Sequence, residues 1–457
     1  MHSNISKLDA SMLKCGINYL FSYVFCGSID AEILQKSVTQ AIKQVQRLQQ
    51  KMVTNDKFLG HWQSFESDPS CFFIHTAEFQ QIRDKYYKDM VNNSSQYAPM
   101  NFVLVLSPNS QKFMILQFGQ HGYCDGAGAT QIFNHILQLH NAYLDGNKSR
   151  QDKILKQLGD YHSPSPNQIY SLSNKANKNW LPLKPWQHIK NTVKLLSYKT
   201  KDAGPIATPF AQLPNMLSSE KQLSSTPLNG KFDFSHLLAV CQSQAPEVSP
   251  NNLACAVIAK AMYLANQQHN KIENPLISFR VIVDILNLGL RKKLLGNYIA
   301  YLPVTIDASK SLINMSKDIS SHIFEAKMNQ QDISMYKLLE FALGSGMAVK
   351  ANDPVSFIVS HIGNYHLQAN PDLLANAKLS DFAACANANP SDLIGAKLNN
   401  RPTICFNLNQ QHELFIGMFH SLTKNNLKKL FFDCLGNQLT SIEESKKSIH
   451  KPTKIVS

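Results

Sequence analysis

Residues 113–143 read FMILQFGQHGYCDGAGATQIFNHILQLHNAY and combine three different patterns. Residues 113–118 form a short apolar run, which is typical of a buried strand. Residues 119–128 are rich in glycine and predict a loop. Residues 129–143 carry apolar side chains at helical spacing and predict a helix. His121 is therefore predicted to lie in a turn between a strand and a helix.

The turn contains the spacing H-x-x-x-D-G at His121, Asp125 and Gly126. A histidine titrates near neutral pH and can accept a proton from an alcohol, an amine or a thiol. Gly126 and Gly128 allow close backbone approaches that larger residues forbid. The spacing is weak evidence by itself, because a lone histidine is usually structural. Its position between a strand and a helix favours an active-site turn, in which Cys124 is expected to be buried packing rather than a nucleophile.

On either side of this turn, apolar residues recur at the spacing of strands in some segments and at the spacing of helices in others. This alternation predicts an α/β fold. Strands are predicted at 17–25, 71–75, 101–106, 113–118, 276–283, 298–306, 355–360, 403–408 and 414–420, and helices at 31–50, 129–143, 186–198, 251–268, 311–328 and 424–435. The length of 457 residues favours two domains. Ser, Asn, Pro and Lys are frequent from about residue 147 to residue 230 and suggest a long connection. The predicted division is an N-terminal subdomain at 1–175, a connection at 176–230 and a C-terminal subdomain at 231–457.

The formal net charge is +13, and its excess is uneven. Residues 146–201 contain eleven Lys or Arg and two Asp. Such a run is a solvated surface, or it attracts a phosphorylated cofactor, an acidic carrier protein or an anionic membrane. The basic residues are not interleaved with aromatic ones in a nucleic-acid-binding pattern, so no nucleic acid partner is predicted. The helix at 186–198 either packs on the protein's own surface or lies on a membrane or lipid substrate.

The nine cysteines are scattered and show neither paired nor zinc-type spacing, so no metal site and no disulfide framework are predicted. A reducing cytoplasmic location fits this cysteine usage. No apolar stretch reaches the roughly 20 residues that a membrane-spanning helix needs. The protein is predicted to be a cytoplasmic monomer. It would be peripheral to a membrane if the helix at 186–198 lies on lipid.

The H-x-x-x-D-G segment resembles the signature of the coenzyme-A-dependent acyltransferase superfamily. That superfamily includes chloramphenicol acetyltransferase, plant BAHD acyltransferases, wax ester synthases, alcohol acetyltransferases and the condensation domains of peptide synthetases. Three further segments resemble the superfamily in its order. They are Gly27-Ser28-Ile29-Asp30 before the first helix, Leu295-Gly296-Asn297 before a strand and Ser360-His361-Ile362-Gly363-Asn364 after another.

The chain also departs from the superfamily pattern. Gln120 stands where many members have a second histidine, and the BAHD motif D-F-G-W-G is absent although Asp381-Phe382 resembles its start. Leu286 stands where relatives have an arginine that braces the motif aspartate. Arg280 and Arg291 are the two alternatives for supplying that charge.

The resemblance implies two chloramphenicol-acetyltransferase-like subdomains, each a mixed β-sheet with helices, and an active-site tunnel between them. It implies that His121 is the general base and that Asp125 and Gly126 hold the loop. Ser360 and Asn364 are then the expected oxyanion or tunnel residues. The co-substrate would be acyl-CoA or an acyl carrier protein, the acceptor a small molecule or a lipid, and no cofactor would be bound.

Three functional hypotheses follow from this resemblance. The first is an acyltransferase that uses acyl-CoA and a hydroxyl or amine acceptor. The second is a stand-alone condensation-type enzyme that takes its acyl group from a carrier protein. The third is a non-catalytic binding member of the same fold.

Overall fold

The structure is a computed structural model that describes residues 5–65, 70–93, 96–165, 168–169, 185–196, 228–270, 274–286, 293–347, 355–361, 374–388, 401–408, 412–419 and 425–449. Its helices are α1 (Lys7–Lys14), α2 (Ala31–Gln44), α3 (Phe79–Asn93), α4 (Gly126–Leu144), α5 (Lys148–Gly159), α6 (Pro185–Leu196), α7 (Ser235–Gln244), α8 (Pro250–Asn270), α9 (Leu312–Met328), α10 (Gln331–Gly344) and α11 (Asn425–Ile449). None of the helices in these ranges is long and apolar enough to cross a membrane.

The strands are β1 (Ile17–Gly27), β2 (Gln50–Thr54), β3 (Gly60–Ser64), β4 (Phe72–Thr76), β5 (Met100–Leu106), β6 (Lys112–Gln120), β7 (Leu228–Asp233), β8 (Leu276–Asp284), β9 (Ile299–Asp307), β10 (Phe357–His361), β11 (Ala377–Ala388), β12 (Thr403–Leu408) and β13 (Glu413–Phe419). A five-stranded sheet has the order β11-β1-β6-β5-β4, and a six-stranded sheet has the order β7-β13-β12-β10-β8-β9. Both sheets are mixed, because β4 pairs with β5 in parallel and β10 pairs with β8 and β12 in parallel. The predicted α/β class with two mixed sheets and flanking helices is therefore confirmed.

The first sheet is covered by helices on both faces. Tyr19, Phe21 and Tyr23 of β1 point to one face and pack with apolar residues of α2 and α4. Leu20 and Val24 of the same strand point to the other face and pack with α3. The alternation follows from the period of two along a strand, and apolar burial on both faces gives β1 its nearly continuous apolar sequence.

The second sheet packs against α7, α8, α9 and α11 in one large apolar core. A separate cluster joins α1 and α10 to the start of β9 and contains Leu8, Met12, Tyr298, Met335 and Tyr336. Because α1 precedes the first sheet in sequence and α10 follows β9, this cluster packs the two halves of the chain together.

Strand β11 comes from the second half of the chain and lies at the edge of the first sheet, antiparallel to β1. Its residues also lie close to β12 and β13 of the second sheet. The first sheet is thus completed by a segment far away in sequence. The division of the chain near residues 175 and 230 stays a prediction.

Most predicted elements are present, including the hairpin of β12 and β13. Three differ from the sequence-based expectation. The helix expected at 31–50 ends at Gln44, because Val45 is extended, and a short 3-10 helix, Gln46–Gln49, follows. The connection expected from residue 147 begins instead with α5, whose Ile154 and Leu158 are buried. The last helix, α11, continues to Ile449 rather than ending near residue 435.

Candidate active site

His121 lies in the turn between β6 and α4, as the sequence predicts. It directly follows the last residue of β6, and its backbone N–H donates to the carbonyl of Ile17 on β1 at 2.9 Å. Asp125 is the N-cap of α4, and its carboxylate accepts from the backbone N–H of Gly128 at 3.0 Å. A carboxylate at a helix N-terminus satisfies an orphan donor and interacts favourably with the helix dipole. The structure therefore brings His121 and Asp125 together in one short turn.

The imidazole of His121 is held in its neutral form at neutral pH. Burial lowers its pKa below the usual 6.5, and the charge of Asp125 and the side chain of Asn297 oppose that shift. Its Nδ1 atom is buried, whereas the residue as a whole is partly exposed. A neutral imidazole can accept a proton.

A buried ion pair lies directly beside the turn. The Nη2 atom of Arg47, in the 3-10 helix, is 2.7 Å from the Oδ2 atom of Asp9 on α1. Burial is the largest single influence on the pKa of Arg47 and lowers it, but the charge and hydrogen bond of Asp9, together with Tyr298 and Cys124, outweigh burial and raise the pKa. The guanidinium also donates to the carbonyls of Gly122 at 2.7 Å and Leu295 at 3.2 Å. Arg47 therefore connects α1, the His121 turn and the second half of the chain.

Asn297 supports the same turn from the second half. Its Nδ2 atom donates to the carbonyl of His121 at 2.8 Å and to Asp9 Oδ1 at 2.8 Å. Its backbone N–H also donates to Asp9 Oδ1 at 2.9 Å. The carbonyls of His121 and Gly122 are thus held by Asn297 and Arg47, and both donors are anchored on Asp9. These contacts fix the two successive peptide groups that follow His121.

Gly122 has to be a glycine in this arrangement. A Cβ atom there would lie 2.9 Å from the carbonyl oxygen of Asp9 and 3.1 Å from Cβ of Leu13. The first of these neighbours is backbone and cannot move aside cheaply. The close approach lets α1 lie directly on the His121 turn.

Cys124 is fully buried, which confirms the prediction that it is packing. Burial raises the pKa of its thiol to about 12, so it is not a thiolate at neutral pH. Its Sγ atom lies 3.6 Å from the hydroxyl of Tyr19, whose ring stands edge-on to His121 at 6.3 Å between centroids. Cys124 and Tyr19 form the apolar floor beneath the histidine.

Of the other two predicted site residues, Ser360 and Asn364, the structure describes only Ser360, which lies on the second sheet. Ser360 is on β10, in register with Cys405 of β12. Its neighbour His361 contacts the Nδ2 atom of Asn251 at 3.2 Å through Nδ1, and burial lowers the pKa of His361 to about 4. Asn364 lies outside the described residues. Roles for Ser360 and Asn364 stay predictions.

An arginine that the sequence did not indicate, Arg47, supports the turn, and its carboxylate partner is Asp9. Which arginine braces Asp125 stays a prediction. Arg280 lies on β8 and donates to the carbonyl of Tyr301 at 3.2 Å, and Arg291 lies outside the described residues. Arg47 and Asp9 were missed by the sequence interpretation. A signal was present, because each is a charged residue within a partly apolar segment, Asp9 in KLDASML and Arg47 in VQRL. Such a segment does not indicate which residue the charge pairs with.

No protein-family model matches this chain, and no curated protein resembles it detectably in sequence. Solved structures do resemble it over nearly its whole length. The starter condensation domain of rhizomide synthetase RzmA, in complex with C8-CoA, is 13% identical with a TM-score of 0.61, covering 96% of this chain and 95% of that one. The trichothecene 15-O-acetyltransferase TRI3 from Fusarium sporotrichioides is 10% identical with a TM-score of 0.67, at the same coverages.

The condensation domain of the monacolin K polyketide synthase MokA is also similar, at 10% identity and a TM-score of 0.59, covering 96% of this chain and 97% of that one. At such identities the similarity establishes the fold. The chain has the two-lobed fold of these condensation domains and of this acetyltransferase, and the predicted resemblance is confirmed for the fold.

Proposed function

We propose that this protein is an acyltransferase that moves an acyl group from an acyl thioester to a hydroxyl or amine acceptor. His121 is the proposed general base. The observation that carries the proposal is the turn itself, in which a neutral, partly exposed histidine is held by Asp9, Arg47 and Asn297. A rigidly placed base is what proton transfer requires, since small errors in position are costly.

The proposed step needs no covalent intermediate on the protein. His121 removes the proton from the acceptor as its oxygen or nitrogen attacks the thioester carbonyl. The tetrahedral oxyanion collapses, the carbon–sulfur bond breaks, and the leaving thiolate takes the proton back from the imidazolium. Asp125 and Gly126 hold the loop, and the negative charge of Asp125 stabilises the imidazolium while it exists.

The oxyanion requires hydrogen-bond donors. Ser360 is the proposed donor on β10, with Asn364 as the second candidate. The acyl donor is proposed to be acyl-CoA, since the structurally similar rhizomide domain binds C8-CoA. The tunnel would run between the two sheets, with donor and acceptor entering from opposite sides.

The test is thiol release from a panel of acyl-CoAs by the native protein and by the variant His121→Gln. General-base catalysis contributes about 10²–10⁴-fold, so turnover should fall by that factor. His162→Gln is the matched control, because His162 is exposed and, within the described ranges, its ring forms a hydrogen bond only with the carbonyl of Asp160. Equal turnover by the native and His121→Gln proteins would contradict the proposed base.

A second candidate is a condensation-type enzyme with a carrier-protein-bound donor. Two observations favour it: the similarity to condensation domains and the basic excess over residues 146–201, which suits an acidic carrier. Presenting the same acyl group on CoA and on an acyl carrier protein separates the two donors. A higher kcat/KM with the carrier would support this candidate. No turnover of either donor would leave the non-catalytic binding hypothesis.

A further inference from the structure

Strongly exposed large apolar side chains are concentrated on three helices. Among the described residues ten such side chains occur, and six lie on α6, α9 and α10: Trp186, Ile189, Val193, Phe324, Met328 and Phe341. Trp186 is 71% exposed and Phe341 is 62% exposed. Single exposed apolar residues are ordinary, whereas a group of them on neighbouring elements marks an interaction surface.

The three helices form one surface. His188 of α6 contacts the hydroxyl of Ser334 on α10 at 2.9 Å and Nζ of Lys337 at 3.0 Å. Further along α6, Asn191 donates to the carbonyl of Asn329, which directly follows α9, at 2.9 Å. Helix α6 therefore runs antiparallel to α10. Its first turn lies toward Phe341, and its second half lies toward Met328.

Helix α6 has apolar residues on both of its sides. Leu195 is buried against the protein beside the polar Asn191, whereas Trp186, Ile189 and Val193 are exposed. The exposed three recur at i, i+3 and i+7 and so lie on one stripe. Packing inside the protein therefore does not account for them. We define the α6 face as Trp186, Ile189, Val193, Met328 and Phe341.

The charge on this face is positive where α6 contributes to it. Lys190 and Lys194 directly follow Ile189 and Val193, and both are exposed. No acidic residue occurs between Pro185 and Leu196. Glu325 is the nearest exposed acidic residue in the sequence of α9. Lysines beside an aromatic and aliphatic stripe can keep their ammonium groups at lipid headgroups while the apolar side chains enter the acyl region.

We propose that the α6 face binds the surface of an anionic lipid bilayer. The apolar side chains protrude from three helices rather than lining a groove, and a fluid bilayer boundary accommodates protruding side chains without a matching cavity. Tryptophan beside lysine is the composition that suits this boundary. The proposal is independent of the proposed reaction. Helix α10, which contributes Phe341 to the α6 face, also contacts α1 through Glu340, and α1 in turn lies on the His121 turn.

The test is flotation of the full-length protein with vesicles of phosphatidylcholine alone or with phosphatidylserine added. Native protein should float with the anionic vesicles and less with the neutral ones. Lys190→Gln/Lys194→Gln should weaken anionic binding about 25-fold, at about five-fold for each lysine near the membrane, and leave neutral binding unchanged. Trp186→Ser/Ile189→Ser/Val193→Ser should abolish binding to both, without lowering Tm, because these side chains are exposed.

Matched controls are Lys85→Gln/Lys88→Gln on α3, which removes the same charge elsewhere, and Ile74→Ser, which removes an exposed apolar side chain of the first sheet. Both should float like the native protein. No flotation of the native protein, or equal flotation of the serine variant, would overturn the proposal. Two results obtained without vesicle binding would also overturn it. One is capture of the protein by an acidic carrier protein, and the other is a native dimer that is absent in the serine variant. Thiol release from soluble acyl-CoA is measured on the same variants. Loss of vesicle binding with unchanged thiol release concerns the α6 face alone, and loss of thiol release concerns the proposed reaction.

Discussion

His121 is subject to opposing influences at the scale of single residues. Burial favours the neutral imidazole, and Asp125 and Asn297 favour the imidazolium. Burial wins, so the pKa lies below 6.5. A base with this balance is ready to accept a proton at neutral pH, and the nearby carboxylate limits the cost of holding it.

This balance predicts an acid limb in the pH profile of kcat/KM. Activity should be constant near neutral pH and fall in acid with a midpoint below 6.5, because only the neutral imidazole acts as a base. Asp125→Asn keeps the cap of α4 but removes the charge that raises the pKa of His121, so the midpoint should move to still lower pH. Asp160→Asn, at an exposed position, should leave it in place. A midpoint above 6.5, or an upward movement in Asp125→Asn, would refute the assignment.

Helix α1 is the element on which the turn depends. It is short, and isolated helices of its length are unstable in water, so tertiary contacts must hold it. Ser6 caps its first turn, and the carboxylate of Glu340 on α10 accepts from the backbone N–H groups of Lys7 at 3.0 Å and Leu8 at 2.9 Å. The N-terminus of α1 is thus fixed by a residue from the other half of the chain.

Replacement of Glu340 should therefore loosen α1. Glu340→Ala leaves two backbone N–H groups without their acceptor, at a cost of about 1–3 kcal/mol for each buried group. Glu340→Gln keeps one acceptor oxygen and should cost less. The free energy of unfolding in urea measures both, and faster amide exchange across Lys7–Lys14 locates the effect. Glu325→Ala, on the exposed side of α9, serves as control, and equal stability of the Ala and native proteins would count against this role.

At the scale of the whole molecule, Asp9, Arg47 and Asn297 hold the two halves together at the site. Asp9 lies on α1, Arg47 follows α2, and Asn297 precedes β9 on the second sheet. Each of the three side chains is almost entirely buried. A buried ion pair is a weak source of net stability but a strong constraint on geometry, because either charge alone is costly to keep.

A double-mutant cycle on Asp9 and Arg47 tests this constraint. Asp9→Asn and Arg47→Met should each cost about 3–5 kcal/mol of unfolding free energy, because each leaves one buried charge unpaired. The double variant should cost clearly less than the sum of the two. Its turnover should nevertheless stay low, because the carbonyl of Gly122 has lost its donor. Additive destabilisation, or native turnover in the double variant, would contradict the positioning role.

Local patterns predicted the order of strand, turn and helix around His121, since periodicity acts between residues close in sequence. The turn itself is shorter than predicted, because β6 continues to Gln120 and α4 begins at Gly126. The same patterns predicted most other strands and helices. They missed nine of the described elements, α1, α3, α5, α7, α10, β2, β3, β7 and β11. Two examples are β11, a strand rich in alanine, and α5, whose buried Gln151, Ile154 and Leu158 lie among lysines. In both, burial against distant elements outweighs a weak local preference.

The sequence by itself determined the α/β class and placed His121, Asp125 and Gly126 in one turn, because these depend on short-range periodicity and backbone geometry. Only the tertiary structure decided which charge supports that turn. Arg47, which the sequence did not indicate, contacts it, and β11 from the second half completes the first sheet. Pairing between distant residues depends on how the elements pack, and a linear pattern of charges or apolar residues carries no record of that geometry.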